Sequence, residues 1–140
     1  MIDAIKARIL STVPEIKLVG EAADFQHAAE SNPTVTPACF VIPMEEAPSP
    51  SHMGDIVIQR VRATVGIVLV VRNLTDSKGV ASRVDLDALR KKVKDQLFGW
   101  QANAELDPFE RGNSHLLAFR DGHAWWQDQY ITMYYDRSVL

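Results

Sequence analysis

The sequence predicts an α+β fold, a largely antiparallel or mixed sheet with two main helices packed on one face. Three observations predict it. Residues 2–13 and 82–97 each repeat apolar residues at helical spacing, Val61 to Val71 alternates apolar and polar positions, and Asp121-Gly122 separates two further alternating runs. The helical stripes need a sheet to lie on, and the long strand and the hairpin supply one. At 140 residues the chain has room for a single domain, 1–140.

In order along the chain, Ile2, Ile5, Ile9 and Val13 form one stripe of about three helical turns, which Pro14 ends. Ile16 to Gly20 reads as a short strand, and Asp24 as the cap of a brief helix through Ala28 and Ala29. Pro37 and Pro43 bracket a second short strand, Ala38 to Ile42, because proline lacks the N–H that a ladder interior uses. Residues 45–54 hold two prolines and no apolar period, so they read as a protruding loop.

Residues 55–71 follow as a long strand. Val61, Ala63, Val65, Ile67, Leu69 and Val71 share one face, with Arg60, Arg62 and Thr64 opposite. Asn73 to Ala81 reads as a polar loop. Ser82 and Asp85 resemble a capping box opening a helix striped by Leu86, Leu89, Val93 and Leu97 and stopped by Gly99. Lys91, Lys92 and Lys94 suit the negative end of that helix and read as a solvated face. Ala104 to Arg111 reads as an extended, edge-like segment, and Leu116–Phe119 and Trp125–Tyr135 pair across the Asp121-Gly122 turn.

Charge and cysteine content narrow the function classes. Lys plus Arg total 15 against 18 Asp plus Glu, a net charge of −3, which argues against a phosphate-gripping surface. The single cysteine, Cys39, lies in an apolar run, so it forms no internal disulfide and reads as a buried thiol. Asp3, Lys6 and Arg8 break any signal-peptide core near the N-terminus, and no long uncharged run exists to span a membrane, so the expected setting is the cytoplasm or a structure assembled there.

No phosphate loop, dinucleotide fingerprint, nucleophile elbow or His-Glu-x-x-His helix is present. The 4 histidines, His27, His52, His115 and His123, are scattered without ligand spacing. Glu45 with Glu46, and Asp121 with His123, fall in loop or turn positions where polar residues are ordinary. The expectation is therefore no catalytic, cofactor or metal site. Trp125 and Trp126, adjacent on a strand, must point to opposite faces. One fills the core. The other either faces outward beside Gln127, Asp128 and Tyr130 as a contact surface or lies under a second helix.

The strand Pro37-Ala38-Cys39-Phe40-Val41-Ile42-Pro43, the long strand ending Val70-Val71-Arg72-Asn73-Leu74, the helix Asp87-Ala88-Leu89-Arg90 reaching Leu97-Phe98-Gly99-Trp100, and the closing Trp125-Trp126-Gln127-Asp128 with Tyr134-Tyr135 resemble the small tail terminator proteins of long-tailed bacteriophages. The resemblance runs from about Pro37 to Arg137. It implies a structural virion protein without catalytic residues. Such subunits form a homo-oligomeric ring, typically a hexamer, which caps the head-proximal end of the tail tube, stops its polymerisation and joins the head. The implied partners are further copies of the chain, the tail tube protein and a head-completion or neck protein, with DNA passing through the ring without specific binding and no membrane involved. The implied location is the virion tail, after assembly in the host cytoplasm.

A ring needs two different patches on each subunit. The residues that could supply them are Arg60, Arg62, Trp125, Trp126, Asp128 and Tyr130 on the sheet, with Glu45, Glu46, Asp76 and Lys78 on loops that meet tube or neck subunits. Three alternatives stand beside this reading, the blandest a host protein of another role with this fold. The second is another neck or tail component, such as a head-closure or tube protein. The third is a small hydrolytic or ligand-binding domain using His123, Asp121 and an indole of Trp125 or Trp126, which requires an apolar pocket with converging polar groups.

Overall fold

In the computed structural model, residues 1–72 and 80–139 are described, the side chains of residues 80–84 excepted. Asp76, Lys78 and most of the Asn73–Ala81 loop lie outside the described residues. The elements run α1 (Ile2–Thr12), β1 (Leu18–Gly20), α2 (Ala22–Ser31), β2 (Ala38–Pro48), β3 (Ile58–Arg72), α3 (Val80–Leu97), β4 (Glu110–Arg120) and β5 (His123–Arg137). The strands form one sheet in the order β1-β2-β3-β5-β4, with β1 parallel to β2 and every other pair antiparallel. The expected α+β class, with a mixed and largely antiparallel sheet, is what the chain adopts.

The long alternating strand organises the interior. Val65, Ile67, Leu69 and Val71 of β3 join Cys39 and Val41 of β2 and Tyr130 of β5 under Ile5 and Ile9 of α1 and Leu86, Leu89, Val93 and Leu97 of α3. Each aliphatic side chain fully buried there contributes about 1.5–3 kcal/mol relative to exposure. Pro14 and Gly99 act at the two helix ends as their chemistry requires. α1 stops at Thr12 with the Val13 N–H donated to the Ile9 carbonyl, and Gly99 takes the left-handed φ of +79° just beyond α3.

The opposite face of the sheet carries its own, smaller core. Phe25, Ala28 and Ala29 of α2 pack on Ala38, Phe40, Val68, Val70 and Trp125. This settles the tryptophan pair: a second helix covers Trp125, which is 2% exposed, so that indole is not an outward contact residue. Its ring meets Phe25 edge-on at 6.1 Å, and its Nε1 donates to Asn32 Oδ1 at 3.3 Å. Only α1 and α3, the two main helices, share one face.

Several boundaries differ from the sequence reading. α2 begins at Ala22 with Glu21 as N-cap. Asp24 is the third helical residue, and its carboxylate accepts the Glu21 N–H at 2.8 Å, completing a capping box. α3 is already helical at Val80, ahead of the Ser82 start, and Ser82 itself falls among the undescribed side chains. β2 does not stop at Ile42. It continues through Pro43 to Pro48, converting residues 45–48 from the expected loop into strand, with a bulge between Pro43 and Glu45. Proline is accommodated because β1 pairs only with Ala38–Phe40, leaving the rest of β2 with an open outer edge. Of the segment 104–111, only Glu110 and Arg111 belong to β4. The residues before them still follow the sheet edge, with the Asp107 N–H donated to the Met133 carbonyl at 2.9 Å.

The hairpin is where the sequence placed it. Arg120 pairs with His123 across Asp121 and Gly122, whose φ values of +50° and +73° are those of a two-residue turn of type I′. β3 and β5 have 15 residues each and so span roughly 45–50 Å. The 18-residue α3 spans about 27 Å. The C-terminal ends of β2 and β5 and the N-terminal end of β3 are largely exposed and pair side by side as an arm of the sheet.

Candidate functional site

A buried carboxylate joins α3 to the sheet. Asp128 points from β5 toward α3 and is 3% exposed. Arg90 grips it with two donors, Nε to Oδ2 at 3.0 Å and Nη2 to Oδ1 at 2.8 Å. Ser114 Oγ of β4 donates to Oδ1 at 2.5 Å, and Trp126 Nε1 donates to the same oxygen at 3.1 Å. Arg111 Nη2 lies 3.7 Å from Oδ1 and donates to Ser114 Oγ at 2.9 Å. The Arg90 guanidinium also stacks over the Trp126 ring at 4.4 Å.

Electrostatics follow from that geometry. Burial alone raises the Asp128 carboxyl, but hydrogen bonds from Arg90, Ser114 and Trp126 outweigh it and hold the group below its ordinary value. A carboxylate so firmly ionised, with its oxygens hydrogen-bonded by three side chains and Arg111 close by, is built to fix α3 on β5 and β4 and not to exchange protons. Tyr130, 1% exposed beneath it, has its hydroxyl raised by burial and then by the Asp128 charge. Asp128 and Tyr130, expected as contact residues, are thus interior. Trp126 is half-buried under Arg90.

The remaining expected contact residues lie at the surface. Arg60 donates to Asp107 Oδ2 at 2.7 Å and to the Tyr135 hydroxyl at 3.1 Å, and sits over the Tyr135 ring at 5.4 Å. Tyr135 itself is 65% exposed. Arg62 is exposed on the same strand, and Glu45 and Glu46 are exposed on the open part of β2. Glu46 Oε1 accepts the Tyr134 hydroxyl at 3.0 Å. The sheet brings Arg60 and Arg62 together on the arm but puts Glu45 and Glu46 beside them on β2, not on a separate loop.

The histidines do not converge. His27, His52 and His115 are exposed on α2, the β2–β3 connection and β4, while His123 is buried with Nδ1 3.0 Å from the Asp121 carbonyl oxygen. Among the described residues no group of three His, Cys, Asp or Glu side chains is placed to hold a metal ion. No described helix is long and apolar enough to cross a membrane.

The sequence reading missed Arg90, Ser114 and Arg111 as partners of Asp128. A usable signal existed. Asp128 shares a strand face with Trp126 and Tyr130, and if a helix covers that face its carboxylate needs a cation from the covering helix. Also missed was a cleft of about 360 Å³ between α3 and β4, lined by Asp87, Arg90, Lys91, Lys94 and Arg111. No curated protein matches the chain. The family model described as phage tail terminator protein matches residues 2–138.

Proposed function

Because the chain belongs to the phage tail terminator protein family, whose members are structural components of the virion tail, we propose that it caps the head-proximal end of the tail tube as a closed ring, six-fold in the simplest case. The ring stops tube polymerisation and offers the surface to which the filled head joins. Its partners are other copies of itself, the tail tube protein and a head-completion protein, and it assembles in the host cytoplasm. The observation that carries this reading is the family match across nearly the whole chain.

The subunit's physical chemistry supports it. The buried polar cluster around Asp128 is spent on internal hydrogen bonds, and Arg60, Arg62, Glu45 and Glu46 on the arm are exposed, where neighbouring subunits can reach them. A net charge of −3 suits a ring that duplex DNA traverses without being retained.

The test combines solution mass with electron microscopy of the purified protein, alone and mixed with tail tubes. A closed ring seated on one end of each tube is expected, and deletion of the gene is expected to yield tails of uncontrolled length. Open filaments of the purified protein identify a tube subunit instead. Tubes left uncapped refute the reading.

A further inference from the structure

We propose that the outer edge of β4 recognises a second copy of this chain: two β4 strands pair antiparallel about a two-fold axis through His115 and join their sheets into one. Such a contact goes beyond the ring reading. A two-fold contact closes on itself, so it makes a dimer of the free chain and not a ring.

A sheet edge presents unpaired N–H and C=O groups, and chains that must stay apart blunt it with charge, proline or bulges. The open edge of β2 beyond Phe40 is blunted in all three ways, by Glu45 and Glu46, by Pro43 and Pro48, and by the bulge between Pro43 and Glu45. β4 differs. Among the described residues it pairs only with β5. From Gly112 to Phe119 it holds no proline and no Asp, Glu, Lys or Arg. Leu116, Leu117 and Phe119 are 53%, 38% and 46% exposed, an apolar cluster on a strand whose outer backbone groups require another strand. α3 packs mainly over β3 and β5, and α2 mainly over β1 and β2, which leaves the β4 edge clear of both helical layers.

The pattern of β4 itself selects the occupant. The strand leaves its regular ladder with β5 at two places, within Gly112–Asn113 and at Leu117. In an antiparallel pair centred on His115, Asn113 of one copy stands opposite Leu117 of the other. Each irregularity therefore meets the other one, and the regular segment Ser114–Leu116 faces itself. The same register sets Glu110 opposite Arg120 at both ends, whereas a parallel pairing would set Glu110 on Glu110 and Arg120 on Arg120. It also brings the two Leu116 side chains to diagonal positions on one face, where they shield each other from water. Backbone, charge and apolar surface thus favour one partner strand, the copy of β4 itself.

The experiment uses the full chain without tail tubes. Sedimentation of the wild type is expected to show a reversible dimer. Leu117 has no partner residue in β5, so Leu117→Lys leaves the β4–β5 ladder intact while charging the outer edge. It is expected to raise the dimer dissociation constant by at least about tenfold, with an unchanged circular dichroism spectrum and thermal melt. His115→Cys and Asn113→Cys, each treated with a mild oxidant, read the register. Thiols introduced at 115 oppose each other within disulfide reach, whereas those at 113 lie roughly 13 Å apart along the strands. The natural thiol, Cys39, is buried. A cross-linked dimer of His115→Cys and none of Asn113→Cys is expected. The inference is overturned if the wild type sediments only as a monomer, if its dimer is indifferent to Leu117→Lys, or if the two cysteine variants cross-link equally. Closed rings in the absence of tubes, with no dimer, overturn it too while leaving the ring reading standing.

Discussion

Replacing Asp128 tests whether the buried cluster fixes α3 to the sheet. In Asp128→Ala, Arg90 loses a two-donor partner, and Ser114 and Trp126 each lose an acceptor. Removing one partner of a buried ion pair costs about 3–5 kcal/mol. The Arg90 side chain is 24% exposed and can turn partly to water, so the lower end, about 3 kcal/mol, is expected. For a chain of this size that corresponds to a fall in Tm of about 10 °C. Asp128→Asn keeps the shape and loses the charge, and is expected to cost about 1.5–3 kcal/mol at pH 7. The sign of the pH dependence follows from the lowered carboxyl. Its stabilisation is complete above the ordinary aspartate value and fades as pH falls through the lower, folded-state value, because only there does the native protein take up the proton. Urea unfolding of wild type and Asp128→Asn from pH 7 downward measures this, and the gap between them should narrow in acid. Equal stability at pH 7, or a gap that persists where both side chains are uncharged, refutes the reasoning.

Other perturbations separate interior from surface. Trp125→Ala removes an indole packed against Phe25 beneath α2 and should cost about 3–5 kcal/mol in denaturant unfolding, with the tertiary signal lost before oligomerisation is considered. The Cys39 thiol, fully buried and pushed up to about 12 by burial, should resist a thiol reagent at neutral pH until the chain unfolds, so its labelling rate should track urea-induced unfolding. Arg60→Glu and Arg62→Glu should change monomer stability by less than about 1 kcal/mol, because both side chains are exposed. If the arm contacts a neighbour, each should weaken ring closure at low salt, and unchanged oligomerisation at low and high salt rules these arginines out of the contact.

The sequence makes the main elements legible where one periodicity dominates. Ile5 and Ile9, Val61 through Val71, and Leu86 through Leu97 each repeat at the period of their own element, and all are buried. The Asp121-Gly122 hairpin is equally plain, because few other residue pairs tolerate two successive positive φ values. β2 beyond Ile42 was hidden for a physical reason. Its continuation depends on the partner strand β3 and on an open edge that admits Pro43, neither of which is a local property. The candidate contact residues fared unevenly for a related reason. Exposure of Trp125, Asp128 and Tyr130 depends on what covers each face, and α2 and α3 cover both. Alternation alone could not distinguish a half-polar solvent face from a satisfied polar interior.

The Asp128 cluster and the α3–β4 cleft are mechanically one unit. Arg90 precedes Lys91 by one residue and Lys94 by four, so the two-donor grip on Asp128 sets the rotation of α3 and with it the direction in which both lysines project. Ser114 and Arg111 tie β4, the cleft's other wall, to the same carboxylate. A cleft whose walls are held by one buried anchor would cost little ordering entropy were a neighbouring subunit to dock there. Loosening the anchor should therefore weaken association more than the loss of global stability accounts for. Asp128→Asn offers that comparison at a temperature where it remains fully folded: a ring-closure concentration that rises there points to preorganisation, and one that does not confines the cluster to the stability of the single subunit.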